Sequence, residues 1–207
     1  MTHEAREGRG PRAMAYERHA ERGGPRRLDP ATIDRARAGD RAAFVALIRH
    51  YDDGLRSLAY RLLGNRDLMD DALQEAYVKA FRGLPRFRGE STLGTWLYRI
   101  VYNACLDELK RFRRLVAVPL DEAPEPADPR PDLTETISDR TRLAEALAEL
   151  PPEDRATVLL VDVQGFDYRS AGEVLGAPEG TVASRLNRAR NALRRALGDD
   201  LEGVAEP

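Results

Sequence analysis

The stretch MDDALQEAYVKAFRGL, residues 69–84, decides the fold. Met69, Ala72, Leu73, Ala76, Tyr77, Ala80, Phe81 and Leu84 recur three or four apart without a miss, which puts them on one stripe of an α-helix. Pro85 then ends the helix, because proline has no N–H to continue the ladder. A helix with one apolar stripe must bury it against other elements. On its other side stand Asp70, Asp71, Gln74 and Glu75, a patch that reads either as solvated surface or as a docking site for a basic partner.

Upstream, Phe44, Ile48, Tyr51, Leu55, Leu58 and Leu62 keep the same spacing from Asp40 until Gly64-Asn65 interrupts it, so a second helix precedes the first. Downstream, the basic loop RFRGEST, residues 86–92, leads into a third helix from about Thr95 to Arg113, with Leu97, Ile100, Val101 and Ala104 as its expected core face. Trp96, Arg99, Asn103, Asp107, Lys110, Arg111 and Arg114 fall on another side of that helix. Residues 86–114 hold seven basic and three acidic side chains, a net of +4. A basic face carrying an aromatic and an amide suits single-stranded nucleic acid, whose bases stack and expose their edges. Arg86, Arg88, Ser91, Thr92, Trp96, Arg99, Asn103, Asp107, Lys110 and Arg111 are the candidate contacts. The same residues would also fit a core tryptophan beside a solvated arginine face.

Farther on, residues 117–139 contain five Pro and seven acidic residues against one Arg, a composition that predicts an extended acidic linker over about 115–140. Beyond it helical spacing resumes, with Leu143, Leu147 and Leu150 on one short helix and Val158, Leu159 and Val163 on another opened by Pro151-Pro152. The segment from Tyr168 through Gly176 and on to Arg190 has the layout of a helix-turn-helix, in which Gly172 permits close approach and Gly176 supplies the turn. Residues 181–195 carry five Arg and no acid, as a helix lying in a major groove would. Ser184, Arg185, Asn187 and Arg188 are candidate base readers, with Thr181 at the helix start and Arg190, Arg194 and Arg195 facing phosphates.

These segments predict an all-α chain of two small helical domains. Residues 1–28, rich in Arg, Gly and Pro, form an extension; 29–114 the first domain; 115–140 the linker; 141–198 the second domain; and 199–207 a tail. Composition narrows the class further. The 207 residues are 42% hydrophobic and 33% charged, with no apolar run of the roughly 18 residues that span a bilayer and no secretory leader, so a cytoplasmic protein is expected. Cys105 is the only cysteine and there are three histidines, which leaves no spacing suited to zinc. Neither a cofactor nor clustered catalytic groups are expected.

The runs DDALQEAY (70–77), TWLYRIVYN (95–103), LGAPEGTV (175–182) and SRLNRAR (184–190) together resemble the extracytoplasmic-function (ECF) group of bacterial sigma factors, over about 39–113 and 142–197. The resemblance implies a non-enzymatic initiation factor that binds core RNA polymerase, on its clamp through Asp70, Asp71, Gln74 and Glu75 and on its flap through the second domain. It implies capture of unstacked minus-10 bases by the 86–92 loop and Asn103, and reading of the minus-35 duplex by the helix-turn-helix. An anti-sigma partner is implied too. Two positions depart from the family pattern: Ala183 replaces a commonly basic residue, and Ala171 a larger aliphatic one. The competing readings are a helix-turn-helix regulator that acts without polymerase, which leaves the Asn103 face without a role, and a sigma-like decoy for an anti-sigma factor, which has no need of DNA-reading helices.

Overall fold

The computed structural model describes residues 28–116 and 136–198. The extension before 28, the acidic segment 117–135 and the tail from 199 lie outside the described residues. Every regular element among those described is helical. In chain order they are α1 (Pro30–Arg37), α2 (Arg41–Leu63), α3 (Arg66–Gly83), a 3-10 turn (Leu84–Arg86), α4 (Leu93–Val116), α5 (Thr136–Glu149), α6 (Pro152–Val158), a π turn (Leu159–Val163), α7 (Tyr168–Leu175) and α8 (Glu179–Leu197).

Short polar side chains set the helix starts, because the first backbone N–H groups of a helix have no partner within it. Asp40 accepts from Ala42 N at 2.9 Å and Ala43 N at 3.1 Å to open α2. Asn65 does the same for α3, accepting from Asp67 N at 2.8 Å and Leu68 N at 3.0 Å. α1 was not expected from its spacing; Asp29 caps it and Pro30 fits its first turn. α4 begins two residues before Thr95 and runs three past Arg113, and α5 begins at Thr136, so helix replaces both ends of the linker expected over 115–140.

α2, α3 and α4 pack on one another and α1 covers α2. Leu55, Leu58, Leu62, Leu73, Leu84, Leu97 and Val101 are fully buried there, each contributing roughly 1.5–3 kcal/mol by leaving water. The expected stripes mostly face inward, with Tyr51, Tyr77 and Phe81 half-buried. Ile100 is only half-buried, because α4 turns Tyr98, Tyr102 and Cys105 inward beside Leu97, Val101 and Ala104. Leu143 and Val163 are exposed. For Val163 the cause is the π turn: Gln164 N donates to Leu159 O at 2.9 Å, one residue wider than an α-helical bond, and the rotation carries Val163 outward and Gln164 inward.

The largest difference from two tethered modules lies between them. Buried residues of α2, α3 and α4 belong to the same continuous core as those of α5, α6, α7 and α8, and α7 packs along α4. The apolar surface of α2 and α4 is wider than one stripe, and the second helical group occupies the excess.

Candidate nucleic-acid interface

α4 is aimed by its own start. Thr92 Oγ1 accepts from Thr95 N at 3.0 Å and lies 2.8 Å from Thr95 Oγ1, fixing the first turn. Thr92 is therefore a helix cap, a role its reading as a DNA contact missed. Ser91 Oγ donates to Thr92 O at 3.3 Å, and Arg37 of α1 donates to Phe87 O at 3.1 Å, which pins the loop to the bundle. Trp96 is half-buried, tilted against Phe87 at 5.2 Å and resting over Gly83, where a Cβ would meet its ring at 3.2 Å. Arg86, Phe87, Arg88, Glu90, Ser91, Thr95, Trp96 and Arg99 line a cleft of about 530 Å3. Glu173 of α7, 3.8 Å from Arg169 of its own helix, also lines it. Arg86, Arg88 and Arg99 are exposed and make no ion pair among the described residues. Asn103 is also exposed, one turn along α4.

Farther along α4 the charges are paired. Arg111 meets Glu108 at 2.9 Å and Glu75 of α3 at 3.7 Å, and Glu75 also binds Lys79 at 2.8 Å. The bond from Lys79 holds the Glu75 carboxyl below its ordinary range. Asp107 lies 3.9 Å from Lys79 and 3.8 Å from Lys110. On α3, Asp70 pairs with Arg56 at 3.2 Å, while Asp71 and Gln74 are exposed. Of the single-strand candidates, the structure thus gathers Arg86, Arg88, Ser91, Trp96 and Arg99 around one cleft and ties Asp107, Lys110 and Arg111 into the network that borders α3.

The helix-turn-helix is built around two glycines. Gly176 takes φ +64°, a left-handed conformation that costs glycine little, and its N–H donates back to Gly172 O. At Gly172 a Cβ would lie 2.5 Å from the Ala177 carbonyl oxygen, so only glycine lets α7 and the turn meet. Ser184 and Asn187 are exposed on α8, and Arg185 and Thr181 half-buried. Arg188 is held at both donors of one guanidinium edge by the buried carboxylate of Asp154, at 2.8 and 3.1 Å. Arg190 is held likewise by Asp162, at 2.6 and 3.0 Å. Asp154 belongs to α6 and Asp162 to the π turn, so the charge of α8 that looked wholly uncompensated along the chain is partly neutralised in space. Arg194 donates to Asn191 Oδ1 at 2.8 Å.

Two families match the chain, Sigma-70 region 2 over residues 47–115 and Sigma-70, region 4 over residues 140–193. The ECF RNA polymerase sigma factor SigM of Mycobacterium tuberculosis is 41% identical over 161 residues, spanning 78% of this chain and 80% of that one. The chain belongs to the ECF sigma factors. The ECF sigma-E factor of Escherichia coli is 32% identical to this sigma factor over 176 residues, spanning 80% of this chain and 92% of its relative. Among solved structures, CnrH in complex with the cytosolic domain of CnrY covers 84% of this chain and 99% of its own, at a TM-score of 0.63 and 26% identity. RpoE in complex with the anti-sigma factor NepR from Bartonella quintana covers 76% and 98%, at 0.62 and 27%. The all-α architecture of this sigma factor is thus that of its family. Among its described residues no helix is long and apolar enough to cross a membrane, and no group of three or more His, Cys, Asp or Glu could hold a metal ion.

Proposed function

We propose that this ECF sigma factor divides its task between three surfaces: α3 docks on core RNA polymerase, the 86–92 loop with α4 captures the opened minus-10 strand, and α8 reads the minus-35 duplex. The cleft around Trp96 supports the reading most strongly. Three arginines without an ion pair among the described residues surround a half-exposed indole there, the combination that tracks a phosphate backbone and stacks unpaired bases. Asn103 hydrogen-bonds an extruded base edge. Extrusion costs a few kcal/mol, and binding to the freed base offsets it without ATP.

Asp70, Asp71, Gln74 and Glu75 meet a basic surface of the polymerase clamp, and the second domain sits on its flap. On α8, Thr181, Ser184, Arg185 and Asn187 face base edges. Arg188 keeps one guanidinium edge for DNA because Asp154 occupies the other, and Arg190 and Arg194 meet phosphates. No residue is assigned a bond-making step and no cofactor is needed. The site of action is the cytoplasm, and the complex of RpoE with the anti-sigma factor NepR among its structural neighbours supports an anti-sigma partner for this chain as well.

In vitro transcription with core polymerase, followed by start-site mapping, tests the whole. Asn103→Ala is expected to impair promoter opening with core binding intact, and Glu75→Arg to weaken core binding. Since Glu75 also pairs with Lys79 and Arg111, melting temperatures are compared in parallel. A chain that never associates with core enzyme overturns the reading, and tight operator binding without polymerase would favour an independent regulator.

A further inference from the structure

None of the three surfaces assigned above includes α1, yet the chain fixes this short helix at both ends and along its inner side. Asp29 accepts from Ala31 N at 3.1 Å and caps its start. Ala36 is buried, and Leu28 and Ile33 are half-buried against the same core. Asp40 ties its end to α2: Oδ1 caps that helix, while Oδ2 takes the Arg35 guanidinium, 2.9 Å from Nε. Gly39 takes φ +91°, which lets the chain turn from α1 into α2 within three residues.

This anchoring sets the place of Arg37, the last residue of α1. Its Nη2 donates to Phe87 O at 3.1 Å, across 50 positions of sequence. Phe87 N donates to Leu84 O at 3.1 Å, so both backbone groups of Phe87 are engaged. The Phe87 ring is the one tilted against Trp96 at 5.2 Å. At the other end of the loop, Thr92 caps α4. Between these anchors Arg88, Gly89 and Glu90 make no hydrogen bond among the described residues. The Arg37 bond therefore sets the near limit of the loop's free span. Arg37 is exposed, makes no ion pair among the described residues and does not itself line the cleft, so it acts on the cleft from behind.

We propose that Arg37 is a positioning residue for strand capture and α1 the brace that carries it: its bond to Phe87 O holds the Phe87 ring, and through that ring the Trp96 indole, in the orientation on which an unpaired base stacks. The proposal rests on the assignment of the Trp96 cleft to strand capture. A loop ordered in advance has less freedom to lose when a ligand binds. Without the brace the strand is held less tightly, although no phosphate contact has gone.

Trp96 is the only tryptophan of the chain, so its emission reports on the loop in the absence of DNA. Arg37→Ala is made in the full-length chain, and a wild-type helical circular dichroism spectrum shows the bundle to be intact. The variant is expected to shift Trp96 emission to longer wavelength and to be quenched faster by acrylamide. Its affinity for a fluorescein-labelled, mixed-sequence single strand of about 20 nucleotides, read by anisotropy, is expected to fall about fivefold, the net worth of one hydrogen bond. Salt dependence separates a brace from a contact, because each phosphate contact to a single strand adds about 0.7 to the slope of log affinity against log salt. Arg37→Ala is expected to keep the wild-type slope, and Arg99→Ala, which removes a cleft arginine, to lower it. A slope lowered by about 0.7 in Arg37→Ala makes Arg37 a phosphate contact and overturns the brace. Wild-type emission and quenching overturn it too, as does shifted emission with wild-type strand affinity when Arg99→Ala has lost affinity. If Arg99→Ala and Trp96→Ala both bind the strand as the wild type does, the strand-capture reading falls instead, and a shifted Trp96 emission still assigns Arg37 to holding the loop.

Discussion

Arg188 looked in the sequence like one more basic residue on a recognition helix, and its partner Asp154 lies 34 positions away. A bidentate carboxylate holds the guanidinium plane in one orientation, leaving the other edge pointing outward. Asp154→Asn adds positive charge to the surface yet removes that orientation. It is expected to weaken specific minus-35 duplex binding by about 0.5–1.5 kcal/mol while strengthening binding to unrelated duplex, read by competition titrations at fixed salt. If specific binding strengthens along with non-specific binding, Asp154 has no orienting role. Gly172 gives a sharper stability test. Alanine there gains about 1 kcal/mol in helix propensity but sets a methyl group against a backbone oxygen at 2.5 Å, and overpacking of this kind costs typically 1–3 kcal/mol. A net loss is expected in chemical denaturation, because a carbonyl fixed in a tight turn cannot step aside.

At the scale of elements, caps and turns decide where functional side chains point. Thr92 joins the 86–92 loop to α4 by capping it. Thr92→Ala is expected to lower stability by about 0.5–2 kcal/mol, and Thr92→Ser to keep most of it, measured by urea melts. Any loss of promoter opening that Thr92→Ser restores therefore belongs to the hydroxyl. Helix periodicity was legible because α2 and α3 obey one rule: an apolar stripe, a polar cap and a stop. α4 was read too narrowly, since Leu97, Val101 and Ala104 fit a single stripe while Tyr98, Tyr102 and Cys105 widen it into a second face. The π turn was illegible, because nothing in the run LLVDV marks a bond that skips five residues instead of four.

At the scale of the molecule, Arg155 is one of the ties between the domains. Arg155 donates to Ala148 O, to Leu150 O at 3.1 Å and to Leu62 O at 2.9 Å, linking the end of α5 to α2. Burial lowers the guanidinium's proton affinity, with Arg113 adding to the effect. Arg155→Ala leaves three carbonyls without this donor and is expected to split a single cooperative unfolding transition into two, seen by calorimetry; one unchanged transition would show that the shared core alone couples the domains. The sequence by itself determined the all-α class, the helix-turn-helix and where the basic runs lie on their helices, because amphipathic spacing, glycine turns and charge runs are local and readable along the chain. Tertiary structure alone decided which arginines of α8 are paired, that Arg37 of α1 reaches the 86–92 loop, and that α7 lies on α4. Each depends on groups far apart in sequence whose meeting is set by packing, and no local pattern records the partner.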